Sequence, residues 1–431
     1  MLRFKLALPL LLLSPLSVPG QDIVGQWQGT LHTPAPLRIV LKVSRDGAAR
    51  LRASLVALDQ DPDHLPVTSI SAADGILRFS VGMLQGTYQG KVNADGTRID
   101  GTWNQGMALH LEFQRATEQT SWLAKSTTQS VTVAPDVSLE VIDWGGSGPP
   151  MVFLAGLGNT AHIFDTFAPK FTATHHVYGI TRRGFGASSS PPPNGSNYSA
   201  DQLGDDVLKV IDALGLKRPV LVGHSIAGEE LSSIGSRYPD KIAGLIYLDA
   251  GYGYALYSPD PGDTRLDAQE LQRALSTFLS GAVGTDQKNA IEQLLAALPQ
   301  LRRDLEADQR EINLMSPHSP RRPGSEPPFD AAAKAIITGE QKYTNIEVPI
   351  LAIFASPHDP AHLPPMPAGK KSEFIALDQA KTAAQARAFG KLKSARVVIH
   401  PNADHYVFFS NEQEVEKEMT DFLGTLKAEG N

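Results

Sequence analysis

The sequence predicts an α/β protein, in which a mainly parallel sheet carries helices on both faces and a helical cap insertion. A small antiparallel β-barrel-like domain precedes it. Three observations support this reading. From residue 21 to 116 short alternating strands are separated by Asp-Gly turns; from 131 onward near-continuous apolar runs alternate with amphipathic helices; and between about 251 and 345 no buried strand is legible.

The chain has 431 residues, 42% of them hydrophobic and 20% charged, enough for two or three packed units. It opens with MLRFKLALPLLLLSPLSVPGQD. Arg3 and Lys5 form a basic start, Leu6 to Leu13 an apolar stretch, and Val18 and Gly20 are small, the grammar of a secretory signal over residues 1–20. The apolar stretch is much shorter than the ~20 residues a spanning helix needs, so no membrane span is expected. The chain contains no cysteine, which excludes a disulfide framework, a thiolate metal site and a cysteine nucleophile. Export without disulfides suits a bacterial periplasmic or extracellular location. The net charge of −7, without a long basic run, gives no support for a nucleic-acid partner.

In the region 21–116, Leu37, Ile39, Leu41 and Val43 alternate with Arg38, Val40 and Lys42, the period of a half-buried strand. Leu77, Phe79 and Val81, and Leu109, Leu111 and Phe113, repeat the pattern. Asp46-Gly47, Asp74-Gly75 and Asp95-Gly96 supply hairpin turns, because glycine accepts the positive φ such turns need. A weak repeat, GQWQG, GTYQG and GTWNQG, sets Trp27, Tyr88 and Trp103 between glycines. These rings are expected to fill the barrel; the other reading is a platform for a ligand of unknown class.

Residues 117–130 are polar and read as a linker to a unit spanning 131–431. There SVTVA and SLEVIDW form a first strand pair, and PPMVFLAG, HHVYGI, RPVLVG, AGLIYLDA, VPILAIFA and SARVVIH read as buried strands. Ser199 and Gln202 fit a capping box opening a helix whose apolar face holds Leu203, Val207, Val210 and Ile211. The cap holds two helical patterns, near Leu271–Leu279 and Ile291–Leu305. An insertion at strand ends lies where open α/β sheets bind ligands.

The chemistry centres on PVLVGHSIAGEEL, residues 219–231. A buried strand ends at Gly223, Ser225 follows, and a helix begins at once. A serine hydroxyl needs a base to become a nucleophile, and a strand–turn–helix exposes it beside the helix-start N–H groups. Ala227 stands where a second glycine is usual, but Gly228 follows immediately. FLAGLGN upstream ends another buried strand; the N–H groups of Leu157 and Ile226 are the expected oxyanion donors. Downstream, ASPHDP offers Asp359 and PNADHYVFF offers His405, in the chain order Ser225…Asp359…His405. Asp249 in IYLDAG is the alternative acid. His358 is expected to shape its turn, and its i, i+4 spacing to His362 is not expected to hold a metal.

These motifs resemble the α/β-hydrolase superfamily from about residue 130 to 431. ITRRGFGASS resembles the loop usually written D-x-R-G-x-G-x-S, with Thr181 in place of the aspartate. AGLGN stands for the His-Gly-containing oxyanion loop, with Ala155 in place of the histidine. The resemblance implies that Ser225 attacks a carbonyl, that His405 is the general base, and that Asp359 orients the imidazole, without a cofactor or metal. The expected substrate is a small-molecule carboxylic ester. Glu229 and Glu230, in the first turn after the nucleophile, could instead hold a substrate amine, which would indicate aminopeptidase or amidase chemistry. A non-enzymatic alternative is a sensor that keeps the triad to bind a small molecule.

Overall fold

The computed structural model describes residues 22–33, 36–122, 127–281, 283–314, 329–359 and 367–429. The expected signal segment, 1–20, and His362 lie outside these residues. The described chain divides into two compact units, the smaller holding 22–30, 40–55 and 65–119, the larger 31–39, 56–64 and 120–429. Nine antiparallel strands run β1 (Gly25–Leu31), β2 (Leu37–Arg45), β3 (Leu51–Ala57), β4 (Asp61–Pro66), β5 (Ser69–Ala73), β6 (Ile76–Val81), β7 (Gly86–Val92), β8 (Arg98–Asn104) and β9 (Ala108–Arg115). Their order, β4-β3-β2-β1-β9-β8-β7-β6-β5, leaves β4 and β5 as edges, so the sheet is a curled half-barrel.

The glycine–aromatic repeat has a packing cause. Tyr88 pairs with Trp103, and Gly90 with Gly101, across β7 and β8. A Cβ on Gly86 would lie 2.1 Å from the Trp103 ring, and one on Gly101 would lie 2.5 Å from the Tyr88 hydroxyl. The glycines therefore leave the space that the rings fill. Trp27, Tyr88 and Trp103 are all buried, and Tyr88 stacks on Phe79 at 5.0 Å. The aromatics form the core of this sheet.

The larger unit is built on an eight-stranded sheet of order β10-β11-β13-β12-β14-β15-β16-β17. Its strands are β10 (Thr127–Ala134), β11 (Val137–Gly146), β12 (Pro150–Leu154), β13 (His176–Ile180), β14 (Val220–His224), β15 (Gly244–Leu248), β16 (Ile350–Ala355) and β17 (Ala395–His400). β10 pairs antiparallel with β11, and β11 with β13; β12 to β17 pair in parallel. Every residue of β14, β15 and β16 is buried, which is why these strands read as unbroken apolar runs. One face packs on α1 (Ala200–Ala213), α2 (Gly228–Arg237) and α6 (Lys371–Gly390), the other on the Phe164–Phe171 segment and α8 (Glu412–Glu429). The predicted cap of α1 is present: Ser199 accepts from the Gln202 N–H. Between β15 and β16 lie α3 (Thr264–Leu279), α4 (Thr285–Leu314) and α5 (Phe329–Thr338), the expected helical insertion. The helices α6 and α7 (Val407–Ser410) precede and follow β17; α6 was not anticipated. Among the described residues, no helix is long and apolar enough to cross a membrane.

Candidate functional site

Ser225 sits where β14 turns into α2, and its φ is +54°. That left-handed conformation is strained for a side-chain-bearing residue, by about 1–3 kcal/mol. It persists because both flanks are buried and fixed. Ala227 has φ −59°, an ordinary helical value, so no glycine is required there. Gly228 is where space is needed: a Cβ would meet the Ala250 carbonyl oxygen at 2.1 Å. The departure from the G-x-S-x-G pattern therefore shifts the demand for glycine by one residue.

Sequence reasoning favoured Asp359 as the partner of His405. The structure instead brings Asp249 to it: His405 Nδ1 lies 2.6 Å from Asp249 Oδ2. Asp249 ends β15 with φ +44° and is fully buried. Its Oδ1 accepts from the Ala355 N–H at 3.0 Å and from the Tyr252 hydroxyl at 3.0 Å. Its Oδ2 accepts a second imidazole, His358 Nε2, at 3.0 Å. Burial alone would raise this carboxyl, but hydrogen bonds from His358 and His405 outweigh it and hold Asp249 well below the usual carboxylate range. Asp359 is half-buried, and its main-chain N–H is bonded to the Ala403 carbonyl. The chain path after β16 thus aims His358, one residue earlier, at the buried acid.

His224 was not singled out from the sequence. It directly precedes Ser225, is buried, and its Nε2 donates to the His405 carbonyl at 3.1 Å. Burial pushes this imidazole down to about 3, so it is neutral. Its ring lies 4.7 Å from that of His405 and 4.6 Å from that of Tyr406. The elbow and the histidine loop are thereby locked together. Tyr254, at the entry to the cap, packs on the apolar cluster that holds Ile226, the residue after Ser225.

The expected oxyanion loop lies against the elbow. A Cβ on Gly156 would fall 3.1 Å from Ser225 Cβ and 2.8 Å from His224 Nδ1. Leu157 packs with Ile226 in one apolar cluster that includes Ala332 and Ile336 of α5. The loop is fixed by Asn159, whose Oδ1 accepts from the Tyr406 hydroxyl at 3.0 Å. The Asp59 carbonyl accepts from Thr160 N–H at 2.9 Å and from Asn159 Nδ2 at 3.3 Å, within the larger unit. Arg38 pairs with the Asp59 carboxylate and with Asp165.

Glu230 does not present a free carboxylate. Both its oxygens accept from Arg182, at 2.6 Å each, and Arg182 also donates to the Ala155 carbonyl. Arg183 makes a matching fork to Asp206 at 2.6 Å. Thr181, in the position of the usual aspartate, donates to Glu140 at 2.7 Å and accepts from the Ala161 N–H. Glu229 is fully buried with neither oxygen hydrogen-bonded among the described residues. Burial and the neighbouring Glu230 push its carboxyl well up.

Asp249, His358 and His405 also bring one possible metal-ligand atom each within 4.8 Å of one another. Tetrahedral ligands around a zinc ion at ~2.0–2.2 Å would stand roughly 3.3 Å apart. The 2.6 Å Asp249–His405 contact is too short for that and is a hydrogen bond.

A profile of the alpha/beta hydrolase fold family matches residues 149–412. The chain is 24% identical to the 2-(acetamidomethylene)succinate hydrolase of Mesorhizobium japonicum over 284 residues, 64% of this chain and 89% of that protein. It is 31% identical to a fluoroacetate dehalogenase of a Burkholderia species over 115 residues, covering 26% of this chain and 38% of that one. Among solved structures, a thermophilic esterase from Thermogutta terrifontis aligns with a TM-score of 0.42 and 20% identity, over 70% of this chain and 99% of the esterase.

Proposed function

The chain belongs to the alpha/beta hydrolase family, and on that premise we propose that it is an exported serine hydrolase cleaving carboxylic esters of small molecules through an acyl-enzyme. The observation that supports this most is the buried Asp249 carboxylate 2.6 Å from His405 Nδ1, beside the strained elbow at Ser225. With Nδ1 donating to Asp249, Nε2 of His405 is the nitrogen left to accept the Ser225 proton. Ser225 Oγ then adds to the ester carbonyl. The N–H groups of Leu157 and Ile226 stabilise the developing oxyanion. His405 returns the proton to the leaving alcohol, and water repeats the sequence to release the acid. Asp249 supports the imidazolium formed in both steps. A dehalogenase or epoxide hydrolase would need a carboxylate at the elbow, where this chain has serine. Export is supported by the basic and apolar N-terminal stretch.

Amide or peptide cleavage is the second reading, favoured by the unpartnered Glu229 carboxyl near the elbow. A fluorophosphonate probe should label the protein stoichiometrically and fail to label folded Ser225→Ala. Persistent labelling of that variant sinks the assignment. Matched ester and aminoacyl-anilide panels separate the two readings, and a folded, unlabelled wild type would indicate a binding protein.

A further inference from the structure

The second imidazole on Asp249 has no role in the proton transfers above. His358 lies in the loop after β16, with Nε2 3.0 Å from Asp249 Oδ2. Its Nδ1 lies 3.1 and 3.0 Å from the two carboxylate oxygens of Asp378 on α6. Its main-chain N–H also donates to Asp378, at 3.3 Å. A carboxylate only accepts hydrogen bonds. A neutral imidazole has one N–H and would turn a lone pair toward one of the two carboxylates. Both contacts are satisfied together only by the imidazolium.

We propose that His358 is a positioning residue, held as a cation between Asp249 and Asp378, that orients the acid of the triad and sets the acid limit of activity. The inference rests on the Ser225–His405–Asp249 reading above. The other groups facing this cluster are the Tyr252 hydroxyl, from the cap entry, which donates to Asp249 and lies 3.3 Å from His358 Nε2, and the Ala355 N–H on Asp249. His405 from the following loop and, through it, His224 of the elbow complete the set. Neither His224, which is neutral, nor Tyr252 supplies a positive charge, so His358 is the cation bonded to Asp249 besides protonated His405. Burial opposes its charge, but the two carboxylates outweigh burial and push it up to about 10.

Two consequences follow. The Asp249 carboxylate is pinned on both oxygens and cannot rotate away from His405. The His358 ring, centred 6.2 Å from the His405 ring, also offsets part of the pull that Asp249 exerts on protonated His405. Removing that charge is expected to move the acid limb of activity upward. The loop expected to deliver a carboxylate to His405 delivers a cation to its acid.

The test compares wild type, His358→Gln and Asp378→Asn on a soluble chromogenic ester, with long-range proton–nitrogen NMR of histidine-labelled protein. Glutamine keeps a donor toward Asp249 without the charge. His358→Gln should move the acid limb of the kcat/KM profile up by about one pH unit, the order expected for one charge at this range. In the wild type both nitrogens of one histidine should carry protons from mildly acidic to mildly alkaline pH. That signature should vanish in His358→Gln, and the ring should titrate at lower pH in Asp378→Asn. An unmoved acid limb with only a lowered plateau means a purely structural pin and overturns the proposal. A neutral His358 ring at neutral pH, or a stoichiometric metal lost with His358, also overturns it. If His358→Gln does not fold, the wild-type and Asp378→Asn spectra decide. Fluorophosphonate labelling, present in wild type and absent in Ser225→Ala, reports separately on the triad, so the two failures are distinguishable.

Discussion

Replacing Asp249 by asparagine changes one atom at the point where two imidazole N–H groups converge. In the wild type, Oδ1 accepts from Tyr252 and Ala355, and Oδ2 accepts from His405 and His358. Asparagine can keep Oδ1 where it is, because those two partners are donors. Its amide then stands opposite two ring donors. His405 must turn its Nδ1 into an acceptor, which moves the proton to Nε2 and removes the base from Ser225. Loss of the correct tautomer lowers turnover by ~10⁴ with the fold intact. Removing one partner of a buried ion pair destabilises by about 3–5 kcal/mol. His358 keeps Asp378, so the lower end, about 3 kcal/mol, is expected here. The assay is kcat/KM on a chromogenic ester beside a urea unfolding curve, with Asp359→Asn measured in parallel. Asp359→Asn should stay within about tenfold of wild type, because removing a group outside the triad touches no step of the transfer. If Asp249→Asn stays within tenfold and Asp359→Asn loses a thousandfold, both folded, the geometric reasoning is refuted.

Two other outcomes are expected. Gly228→Ala should lose at least about a hundredfold in activity, because the added Cβ meets the Ala250 carbonyl at 2.1 Å and must displace the elbow; Ala227→Gly should stay near wild type, and equal tolerance of both changes would contradict the packing argument. His358 is raised from 6.5 to about 10 on folding, so its stabilising contribution is whole below pH 6.5 and is lost as pH rises through about 10. The difference in urea midpoint between wild type and His358→Gln should therefore shrink across that window, and parallel curves would count against a charged His358.

The sheet, the cap and the elbow were legible because each is written in local pattern. β14, β15 and β16 are buried on both faces, and their apolar runs say so directly. The Ser199 cap and the Gly223–Gly228 stretch are short-range signals. Helix α6 was not legible. Its alanines and charges follow no single apolar stripe, and its buried residues cluster toward its end, from Thr382 to Phe389. With α6 unseen, Asp378 had no place near the site, and His358 could be read only as a turn residue. The glycine–aromatic repeat was visible, and its meaning came from Gly86 and Gly101 making room for Trp103 and Tyr88.

The sequence ranks Asp359 ahead of Asp249, while the structure sets the Asp249 carboxylate against His405; periodicity cannot separate the two. Asp249 and Asp359 both end parallel strands, and either could reach a histidine after β17. The choice turns on backbone geometry one residue long. Asp249 takes φ +44°, which accompanies a carboxylate turned into the sheet end between the Ala355 N–H and the Tyr252 hydroxyl. In the loop after β16 the Asp359 N–H is drawn to the Ala403 carbonyl, and the side chain aimed at the site is the preceding His358. An adjacent His-Asp pair thus hides two opposite electrostatic outcomes, an acid for His405 or a cation for its acid. The Asp59 contact is hidden in another way, since its carbonyl, not its side chain, accepts from Thr160 and Asn159. Any residue supplies a carbonyl, so no pattern of residue types marks that role. It nevertheless makes the 31–39 and 56–64 segments part of what holds the 156–160 loop. A chain starting near residue 130 lacks that support.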